Sequence, residues 1–581
     1  MLDTIRFLSK YLKQYRRKYI LGLIFVLFTN MFRIINPRVV QKAIDYLRDD
    51  FSVQQLAAYV TLIVVVAIGE GVFLFLMRRN MIVASREIEN DLRNDFFRKL
   101  LELPPSFYQR MPTGDVMSRA TNDLNAVRSF VGPGIAYSIN TLLAFCFVIP
   151  MMIIINPRLT LFALLPFPVV AILVNRFGKA IYKRFDKIQA QFSTLSTRVQ
   201  ENLSGNTIIK WFARETDEIR RFRNDNHEYM RRYIAYARVQ AAFFPSLMLT
   251  IGLSIAIILF VGGHLVIRDV ISVGEFTAFM LYMNILIFPT IALGWVIGLF
   301  QQGSASMKRM REILEADADV KDKPGAIVRK EIDGEISFRN LSFQYTENQP
   351  MLRGIDFLIP AKSTVGIIGP TGSGKSTLIK LIPHFYPLPE DVLLIDGIDI
   401  NDYAIRTLRS HIGYVSQETF LFSDTIANNI AYGKKDATRE EIEWAAQMAN
   451  IHDEIEGFPD GYRSMLGEKG INLSGGQKQR ISIARAIIRQ PRILILDDAF
   501  SALDTQTEEN ILRNLQEFFP DRTVILVSHR VSTLQHSDFI VVIEGGMITE
   551  QGTHEELLQL QGHYAWIHEK QLLEEELEKV D

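Results

Sequence analysis

Apolar and polar positions divide the chain into two regions of different character. The first 300 residues contain six apolar segments, which lie near 19–36, 57–77, 132–155, 159–174, 243–267 and 276–300. Each is about long enough to cross ~30 Å of hydrocarbon at ~1.5 Å per helical residue, although the fourth needs some flanking residues. The pattern predicts an α-helical domain with six transmembrane spans.

The polar connections between these segments predict the orientation of the spans. Lys and Arg are frequent in two long connections, 78–130 and 175–240, and scarce in the others. Because positive residues next to a span favour the cytoplasmic side, we expect the N-terminus, both long connections and everything after residue 300 to face the cytoplasm. The basic, amphipathic segment 5–18 is typical of a helix that lies at the membrane surface.

Both long connections have helical periodicity and few glycines, so we interpret them as extensions of the spans into the cytoplasm. Each is interrupted near its middle, by the proline-containing stretch 104–115 and by the sequence Leu203-Ser-Gly205-Asn206. These interruptions predict turns at the tips that present short transverse helices. Such helices either dock on a soluble domain of the same chain or form simple hairpins in solvent.

A charged stretch, 308–333, separates the spans from a region in which β-rich and helical segments alternate. Alternation of this kind is typical of an α/β nucleotide-binding core. We therefore predict a transmembrane domain over 1–315, a linker over 316–333 and a soluble α/β domain over 334–581.

Composition narrows the classes of function. The 581 residues are 48% hydrophobic and 22% charged, which suits a membrane-embedded part joined to a soluble part. With a formal net charge of −1 there is no large basic field, so we expect no nucleic-acid partner. The single cysteine, Cys146, excludes an intramolecular disulfide bond, and its apolar surroundings in the sequence indicate a small buried hydrophobic residue.

A phosphate-binding loop follows the apolar run 364–368 and precedes another apolar run, which indicates a strand, a glycine loop and a helix. The loop and first helical turn consist of Gly369, Pro370, Thr371, Gly372, Ser373, Gly374, Lys375, Ser376 and Thr377. Glycines allow backbone N–H groups to turn towards phosphate oxygens. In this motif Lys375 reaches the β- and γ-phosphates and the Ser376 hydroxyl holds Mg²⁺. The alternative is a glycine-rich turn without a ligand.

Two further predicted strands end in polar residues. The apolar run that begins at Arg492 ends in Asp497, and Asp498 follows it. A carboxylate at the end of a strand beside a phosphate loop can organise Mg²⁺ and its water. The run that begins at Thr523 leads to His529, which we expect to touch the γ-phosphate, although a lone histidine at a strand end is more often structural.

A third motif makes the chain similar to a known family. Its residues are Leu473, Ser474, Gly475, Gly476 and Gln477, followed by Lys-Gln-Arg-Ile-Ser-Ile-Ala-Arg-Ala. This segment resembles the signature motif of ABC transporter ATPases, as do Gln417, Ser501-Ala-Leu-Asp504 and His529 around the phosphate loop. With six spans ahead of the ATPase, the whole chain resembles an ABC exporter half-transporter.

The resemblance implies roles for particular residues. Tyr345 stacks on adenine, and Gln417 senses both Mg²⁺ and the coupling helices, which here fall near 104–116 and 203–212. Glu468 lies in a segment that contacts the helices of the other half. In this family two ATPase domains clamp two ATP molecules, each between one Walker motif and the opposite signature. The cofactors are therefore ATP and Mg²⁺, and a second ABC half-transporter is required.

Asp498 departs from the family pattern, which has glutamate after the Walker B aspartate as the base that polarises the attacking water. Aspartate withdraws the carboxylate by roughly 1–1.5 Å, and a misplacement of that order can cost about 10²-fold in rate. Either the change is tolerated in a homodimer, or this half supplies a weakly hydrolytic site to a heterodimer. The second reading resembles the aspartate-bearing, MdlA-type half of bacterial multidrug exporters.

The family implies ATP-driven export across the cytoplasmic membrane by alternating access, with hydrophobic or amphipathic compounds as substrates. A homodimeric lipid or lipopolysaccharide flippase shares the same architecture, and import within this fold also stays open. Glu70, in the second span, either recognises a cationic solute or pairs within the protein. Aromatic residues of the last two spans either line a cavity or face lipid and neighbouring helices; they are Phe243, Phe244, Phe276, Phe279, Tyr282, Phe288, Trp295 and Phe300.

Overall fold

The computed structural model describes residues 2–48, 52–345, 350–467 and 470–578, so the prediction for Glu468 lies outside the described residues. The chain forms two compact units. The first, the helical unit, comprises Met1–Glu102 and Met111–Ala316. The second, the α/β unit, comprises Leu103–Arg110 and Asp317–Asp581, so it includes a short segment from between the second and third spans.

Helices account for nearly all of the chain up to residue 314. In order they are α1 (Leu2–Gln14), α2 (Arg16–Arg48), α3 (Val53–Glu102), α4 (Pro105–Arg110), α5 (Thr113–Ser118), α6 (Leu124–Ser129), α7 (Ile135–Ile155), α8 (Pro157–Leu164), α9 (Phe167–Ser204), α10 (Asn206–Trp211), α11 (Glu215–Ile257), α12 (Gly263–Ile267) and α13 (Val273–Leu314). Three π-helical turns, Arg119–Asp123, Phe130–Gly134 and Ile258–Gly262, connect α5 to α6, α6 to α7 and α11 to α12.

Within the described residues, six helical segments are long and apolar enough to cross a membrane, which confirms the predicted number of spans. Many of their apolar side chains lie on the surface of the unit; Leu249 and Phe260, for example, are 77% and 82% exposed. Such exposure is favourable where hydrocarbon replaces water as the solvent. Cys146 is exposed in the same way, so the prediction that it is buried was wrong. A small apolar residue of a membrane-spanning segment is buried only where other protein surrounds that segment.

Helices α3, α9 and α11 continue far beyond the hydrocarbon. Helix α3 has 50 residues, which corresponds to about 75 Å of helix where roughly 30 Å crosses the bilayer. The predicted interruptions are present, because α4 follows α3 and α10 separates α9 from α11. Short helices at both interruptions are therefore confirmed.

The N-terminal helix α1 packs on protein through its apolar face. Leu8 and Tyr11 are almost completely buried, and the Tyr11 hydroxyl donates a hydrogen bond to Asp95 on α3 at 2.8 Å. The Tyr15 hydroxyl donates to Asp91 of the same helix at 2.7 Å. Part of the apolar face of α1 is therefore covered by protein, and the position of this helix at the membrane surface stays a prediction.

Polar and aromatic residues of the spans find partners inside the helical unit. Glu70 accepts a hydrogen bond from Arg33 Nε at 2.8 Å, so this carboxylate pairs within the protein. Phe279 and Tyr282 are fully buried, and the Tyr282 hydroxyl donates to the carbonyl of Ile34. The exposed members of the predicted aromatic set lie on the surface of the unit; they include Phe244, Phe288 and Trp295.

The α/β unit contains ten strands and ten helices beyond α4 in its described part. The strands are β1 (Ile336–Gln344), β2 (Pro350–Ile359), β3 (Thr364–Ile368), β4 (Leu393–Ile395), β5 (Ile398–Asp399), β6 (Ile412–Val415), β7 (Ile493–Asp497), β8 (Thr523–Val527), β9 (Phe539–Glu544) and β10 (Met547–Gly552). The helices are α14 (Lys375–Leu381), α15 (Ile405–Ser410), α16 (Ile426–Ala431), α17 (Arg439–Met448), α18 (His452–Glu456), α19 (Gly475–Ile487), α20 (Thr505–Gln516), α21 (Val531–Leu534), α22 (His554–Gln559) and α23 (His563–Glu578).

Two sheets organise this unit. An antiparallel sheet has the order β2-β1-β4-β5, and a six-stranded sheet has the order β10-β9-β3-β8-β7-β6. In the larger sheet the strands from β9 to β6 are parallel, and β10 pairs antiparallel to β9 at one edge. Strands β3, β7 and β8 consist of buried or nearly buried residues, as expected for a parallel sheet covered on both faces. The carboxyl ends of the parallel strands consequently meet at one edge.

A buried histidine lies near the helix that follows the phosphate loop. His384 is 4% exposed and has a left-handed backbone with φ of +54°. Burial, together with the positive charge of Arg409, lowers the pKa of His384 to about 4. The folded chain therefore holds this imidazole neutral at pH values at which the unfolded chain binds a proton.

We expect His384 to make the chain sensitive to acid. The depressed pKa contributes stability above the unfolded value near 6.5, and that contribution disappears as pH falls to about 4. The loss is about 3 kcal/mol in the free energy of unfolding, since each pKa unit corresponds to about 1.4 kcal/mol. The measurement is denaturant unfolding of the detergent-solubilised chain at pH 7 and pH 4.5. His384→Asn is the matched control, because asparagine tolerates left-handed backbone and does not titrate. An equal loss of stability in both proteins would contradict the assignment.

Candidate functional site

The predicted phosphate loop and acidic residues meet at the carboxyl edge of the six-stranded sheet. Strands β3 and β7 both pair with β8, so the residues after all three strands become neighbours. They surround a cavity of about 190 Å³. The cavity is lined by Met351, Thr371, Gly372, Ser373, Gly374, Lys375, Ser376, Thr377, Gln417, Asp497, Asp498, Val527, Ser528 and His529. Most residues singled out from the sequence therefore lie around one cavity.

Glycines shape the loop between β3 and α14. Gly369 and Gly374 have φ values of +149° and +106°, which favour glycine. A Cβ atom at Gly369 would overlap the carbonyl oxygen of Ile543, and one at Gly374 would lie 2.8 Å from the Leu352 side chain. The Ser373 hydroxyl is buried and has no hydrogen-bond partner among the described residues. The loop therefore combines a glycine-dependent backbone conformation with a buried hydroxyl that has no partner. Both features fit the binding of phosphate oxygens.

Lys375 is the cation of this loop. Its ammonium group donates to the carbonyls of Gly369 and Pro370 at 2.6 and 2.8 Å. Burial lowers the pKa of Lys375, against the opposing effect of Asp498 and Asp497. The lysine therefore lies folded along the loop, within reach of an anion that enters the cavity.

Asp497 is the more deeply buried of the two acids. It is 1% exposed, and it accepts hydrogen bonds from Ser376 Oγ at 3.0 Å and from the Tyr414 hydroxyl at 3.2 Å. Burial raises the pKa of Asp497 above its usual range. The Ser376 and Asp497 oxygens lie side by side, and oxygen ligands of this kind are those that Mg²⁺ prefers. The donor set therefore fits Mg²⁺.

Asp498 has both carboxylate oxygens engaged. Oδ1 lies 2.9 Å from His529 Nδ1, and Oδ2 accepts from Gln417 Nε2 at 3.3 Å. Burial opposes ionisation, but the hydrogen bonds and charges of His529, Gln417 and Lys375 prevail and lower the pKa of Asp498. The same hydrogen bond raises the pKa of His529. Asp498 also has a left-handed backbone, with φ of +50°.

The pair of Asp498 and His529 has a defined pH window. A lowered aspartate pKa means that the pair is lost as pH falls through the folded value, and a raised histidine pKa means that it is lost as pH rises through the folded value. The ion pair is therefore fully formed between the ordinary pKa values of aspartate and histidine, roughly pH 4 to 6.5. At higher pH a neutral His529 keeps a hydrogen bond to the carboxylate when Nδ1 carries the proton.

Two residues that support the site were missed in the sequence. Tyr414, on β6, donates to Asp497, and Gln571, on α23, donates through Nε2 to the backbone carbonyl of His529 at 2.6 Å. Gln571 also accepts from the backbone N–H of Val531. Neither belongs to a local motif, because each reaches the site only through the folding of a distant segment. For Gln571 the only signal was a polar residue on a largely charged and apolar helix, and that signal is weak.

The signature residues do not line this cavity. Ser474 begins α19 as its N-cap, and its hydroxyl accepts from the N–H of Gln477, whose side-chain oxygen accepts from the N–H of Ser474. This capping box stabilises the start of the helix. Gly475 and Gly476 approach Ala502 closely, and Leu473 is buried. The signature residues thus form the N-terminal turn of α19, away from the residues that line the cavity.

Tyr345 stands beside the cavity without lining it. Its hydroxyl donates to Thr377 Oγ1 at 3.2 Å, and the residue is 38% exposed. The ring contacts Phe343 and Tyr386 edge-on, with centroids 5.1 Å away in both cases. A ring that is half exposed next to the first turn of α14 is available to an aromatic base.

Comparison with known proteins decides the family. Residues 19–290 match the family model described as ABC transporter transmembrane region, and residues 352–501 match the one described as ABC transporter. The multidrug resistance-like ATP-binding protein MdlA of Escherichia coli is 37% identical over 98% of this chain and 97% of its own. The chain belongs to the ABC transporter family.

Other relatives of this ABC transporter point to exporters. The ATP-dependent lipid A-core flippase of Syntrophus aciditrophicus is 34% identical over 99% of this chain and 96% of its own. The structure of a bacterial Atm1-family ABC exporter with ATP bound superposes with a TM-score of 0.82 and 28% identity, covering 96% of this chain and 99% of that one. The transporter is therefore a multi-pass membrane protein of the exporter fold, with a cytoplasmic ATPase domain that couples ATP to transport.

Proposed function

We propose that this chain is one half of a heterodimeric ABC exporter of hydrophobic or amphipathic compounds, and that its own nucleotide site hydrolyses ATP weakly. The proposal rests on the length of the Asp498 side chain and on the contacts of its carboxylate. Its carboxylate replaces the longer glutamate of the family, and both of its oxygens are engaged by His529 and Gln417. A carboxylate with a lowered pKa is a poor base for the attacking water.

Hydrolysis forms a bond between a water oxygen and the γ-phosphorus and breaks the bond from that phosphorus to its bridging oxygen. Lys375 offsets the charge that develops on the phosphate oxygens, and the backbone N–H groups of the loop around Gly372 add to this stabilisation. Asp498 accepts the proton of the attacking water, and His529 orients that carboxylate through Nδ1. Each of these roles follows from a position around the 190 Å³ cavity.

Mg²⁺ is proposed at the oxygens of Ser376 and Asp497, with Gln417 nearby. When bound it neutralises charge on the phosphate oxygens of ATP. Ser376 Oγ donates its hydrogen to Asp497 and keeps its lone pairs, so it could ligate the ion without losing this hydrogen bond. Asp497 keeps a second hydrogen bond, from Tyr414, that holds its position.

The position of the signature supports a dimeric site. Because Ser474 and its helix lie away from the cavity of the same chain, the signature is proposed to complete the ATP site of the partner half. The partner in this proposal carries glutamate after its Walker B aspartate, so the composite site that uses this signature hydrolyses efficiently. We also propose the domain boundaries 1–315, 316–333 and 334–581 as functional divisions of the chain.

The transported class is proposed from the relatives and from the spans. MdlA carries a multidrug resistance-like description, and the helical unit has many exposed apolar and aromatic side chains. Glu70 is already paired with Arg33, which weakens the idea that it alone selects cations. An adaptable apolar surface favours compounds that share hydrophobicity rather than one polar group.

A homodimeric lipid flippase is the second candidate, because the lipid A-core flippase is similar over nearly the whole chain. The two candidates differ in what stimulates ATP turnover. In nanodiscs, the amphipathic dye ethidium is expected to stimulate the exporter, and lipid A-core is expected to stimulate the flippase. Stimulation by lipid A-core alone, in a preparation of this chain without a partner, would favour the flippase.

The heterodimer is tested by purifying the chain alone. We expect the isolated chain to bind ATP but to release phosphate about 10²-fold more slowly than the chain co-expressed with a glutamate-bearing half. The slower rate follows from the retracted carboxylate of Asp498. The measurement is phosphate release in nanodiscs at saturating Mg-ATP. Rapid turnover by a homodimer of the isolated chain would refute the proposal.

A further inference from the structure

A cavity of about 600 Å³ lies between the cytoplasmic extensions of α9 and α11. Both helices belong to the helical unit. Among the described residues that line this cavity, five are cationic and one is acidic; they are Lys183, Arg184, Lys187, Arg231, Arg232 and Glu228. We call this site the basic cavity. Its lining has a large excess of positive charge.

The acidic residue of the basic cavity is engaged by the two arginines of its own helix. Glu228 Oε1 accepts a hydrogen bond from Arg232 Nε at 2.7 Å, and Glu228 Oε2 lies 2.8 Å from Arg231 Nη2. Arg232 also crosses to the opposite helix, because its Nη1 donates to the backbone carbonyl of Lys187 at 3.0 Å. These contacts fix the guanidinium of Arg232 at the cavity wall and leave Nη2 for a ligand.

The cations that α9 contributes have no acidic partner among the described residues. Lys183 and Lys187 form no hydrogen bond or ion pair there through their side chains, and Arg184 donates to a backbone carbonyl at 3.3 Å. The two lysines are one helical turn apart, and like charges at this spacing destabilise a helix. Further along the same two helices, by contrast, Arg198 lies 2.6 Å from Asp225. Pairing within the protein therefore leaves the α9 side of the basic cavity uncompensated.

The basic cavity lies deeper in the cytoplasm than the lipid headgroups. Helix α11 runs from Glu215 to Ile257, so Arg232 is about 17 Å of helix away from Phe243, where the fifth apolar segment begins, at ~1.5 Å per residue. The headgroup layer extends only about 5–8 Å beyond the hydrocarbon. A ligand in this cavity is therefore in contact with cytoplasmic water.

We propose that the basic cavity binds a soluble anion that carries at least two negative charges on phosphate groups. Guanidinium groups donate paired N–H bonds to phosphate oxygens, and ammonium groups add point charges. The volume of the cavity lies in the range of small-ligand sites. Positive charges beside a span are also expected from membrane orientation alone. Orientation, however, requires neither a common cavity nor an arginine that is fixed across it.

The test measures the acetylation rates of individual lysines in the full-length chain, in phosphatidylcholine nanodiscs, by peptide mass spectrometry. Inorganic pyrophosphate is the probe, and it is expected to slow acetylation of Lys183 and Lys187 at least about fivefold by shielding their ammonium groups. Lys210 is the internal control, because it is exposed on α10 outside the cavity, and its rate is expected to change by less than about twofold. Lys375 reports separately on probe bound at the phosphate loop.

Two arginine variants test whether the binding is local to the cavity. Arg184→Gln removes a lining cation that forms no ion pair among the described residues. It is expected to raise the pyrophosphate concentration for half-maximal protection at least about fivefold. Arg176→Gln is the matched control, because it removes the same charge from an exposed position on α9 outside the cavity. Its effect is expected to stay below about twofold, and equal effects of both variants would overturn the site in favour of diffuse attraction.

Two further outcomes would overturn the proposal. Unchanged acetylation of Lys183 and Lys187 at about 10 mM pyrophosphate would mean that the cluster is only a solvated face. Protection that appears when phosphatidylglycerol is added to the nanodiscs, and that pyrophosphate does not increase, would identify a lipid headgroup as the ligand. Neither outcome depends on the proposed export function, because binding at the phosphate loop is read at Lys375.

Discussion

Replacing Asp498 by glutamate is expected to raise the ATP turnover of the purified chain by about 10²-fold. The added methylene moves the carboxylate roughly 1–1.5 Å further into the cavity, towards the attacking water, which is the distance by which aspartate withdraws it. The measurement is phosphate release at saturating Mg-ATP.

The gain in rate has a structural cost at the same position. Asp498 has φ of +50°, and aspartate tolerates left-handed backbone better than glutamate does. We therefore expect Asp498→Glu to lower the free energy of unfolding by up to about 1 kcal/mol. Asp498→Asn is the matched control, because it keeps the length and the backbone preference of aspartate and removes the charge. It is expected to abolish the residual turnover while ATP still binds.

The outcome of Asp498→Glu discriminates between the two readings of this site. A site that is weak because its carboxylate is short becomes faster with glutamate. If the variant binds ATP normally and turns over no faster than the unchanged chain, the length of this side chain is not what limits hydrolysis, and the weakly hydrolytic half must be explained by another residue.

Replacing Gly369 by alanine is expected to weaken ATP binding by about 10²-fold or more. A Cβ atom at this position would overlap the carbonyl oxygen of Ile543 on β9, a strand that lies between β10 and β3 in the sheet. The first residue of the phosphate loop must then move, and the N–H groups that follow it lose their alignment with phosphate oxygens. The measurement is the affinity for a fluorescent ATP analogue in detergent.

Gly372→Ala is the control that isolates this overlap. Gly372 lies in the same loop with φ of +82°, so alanine also meets a backbone penalty there, of about 1 kcal/mol. No atom lies within 4 Å of its built Cβ position among the described residues, so no clash is added. We expect this variant to lose at most about tenfold in affinity. Equal losses in both variants would mean that backbone strain, and not contact with β9, determines the effect.

The fold was largely predictable because its main features are local. Spans follow from uninterrupted apolar length, and the strands that lead to Asp497 and His529 follow from short buried runs with polar residues at their ends. The helices at the two interruptions were also predictable, since proline and glycine end a helix at a known place. For the same reason the residues of the phosphate loop were identified before their geometry was known.

The partners of individual side chains were much less predictable. The sequence left Glu70 between a solute and an internal partner, and only the packing of α2 on α3 placed Arg33 2.8 Å away. Cys146 was assigned to the interior because apolar residues are usually buried, but in a spanning helix lipid is an equally good surrounding. The buried face of α1 was missed for the complementary reason, because a basic amphipathic helix fits protein and membrane equally well.

The sequence by itself determined the six spans, the nucleotide-binding motifs and the unusual Asp498, because each depends on residues that are adjacent along the chain. Only the tertiary structure decided that Asp498 is held by His529 and Gln417, that Gln571 supports His529, and that α4 joins the α/β unit through Tyr386. These contacts join segments that are tens to hundreds of residues apart. Hydrogen bonds and ring contacts depend on distances and angles that no local pattern of residue types specifies.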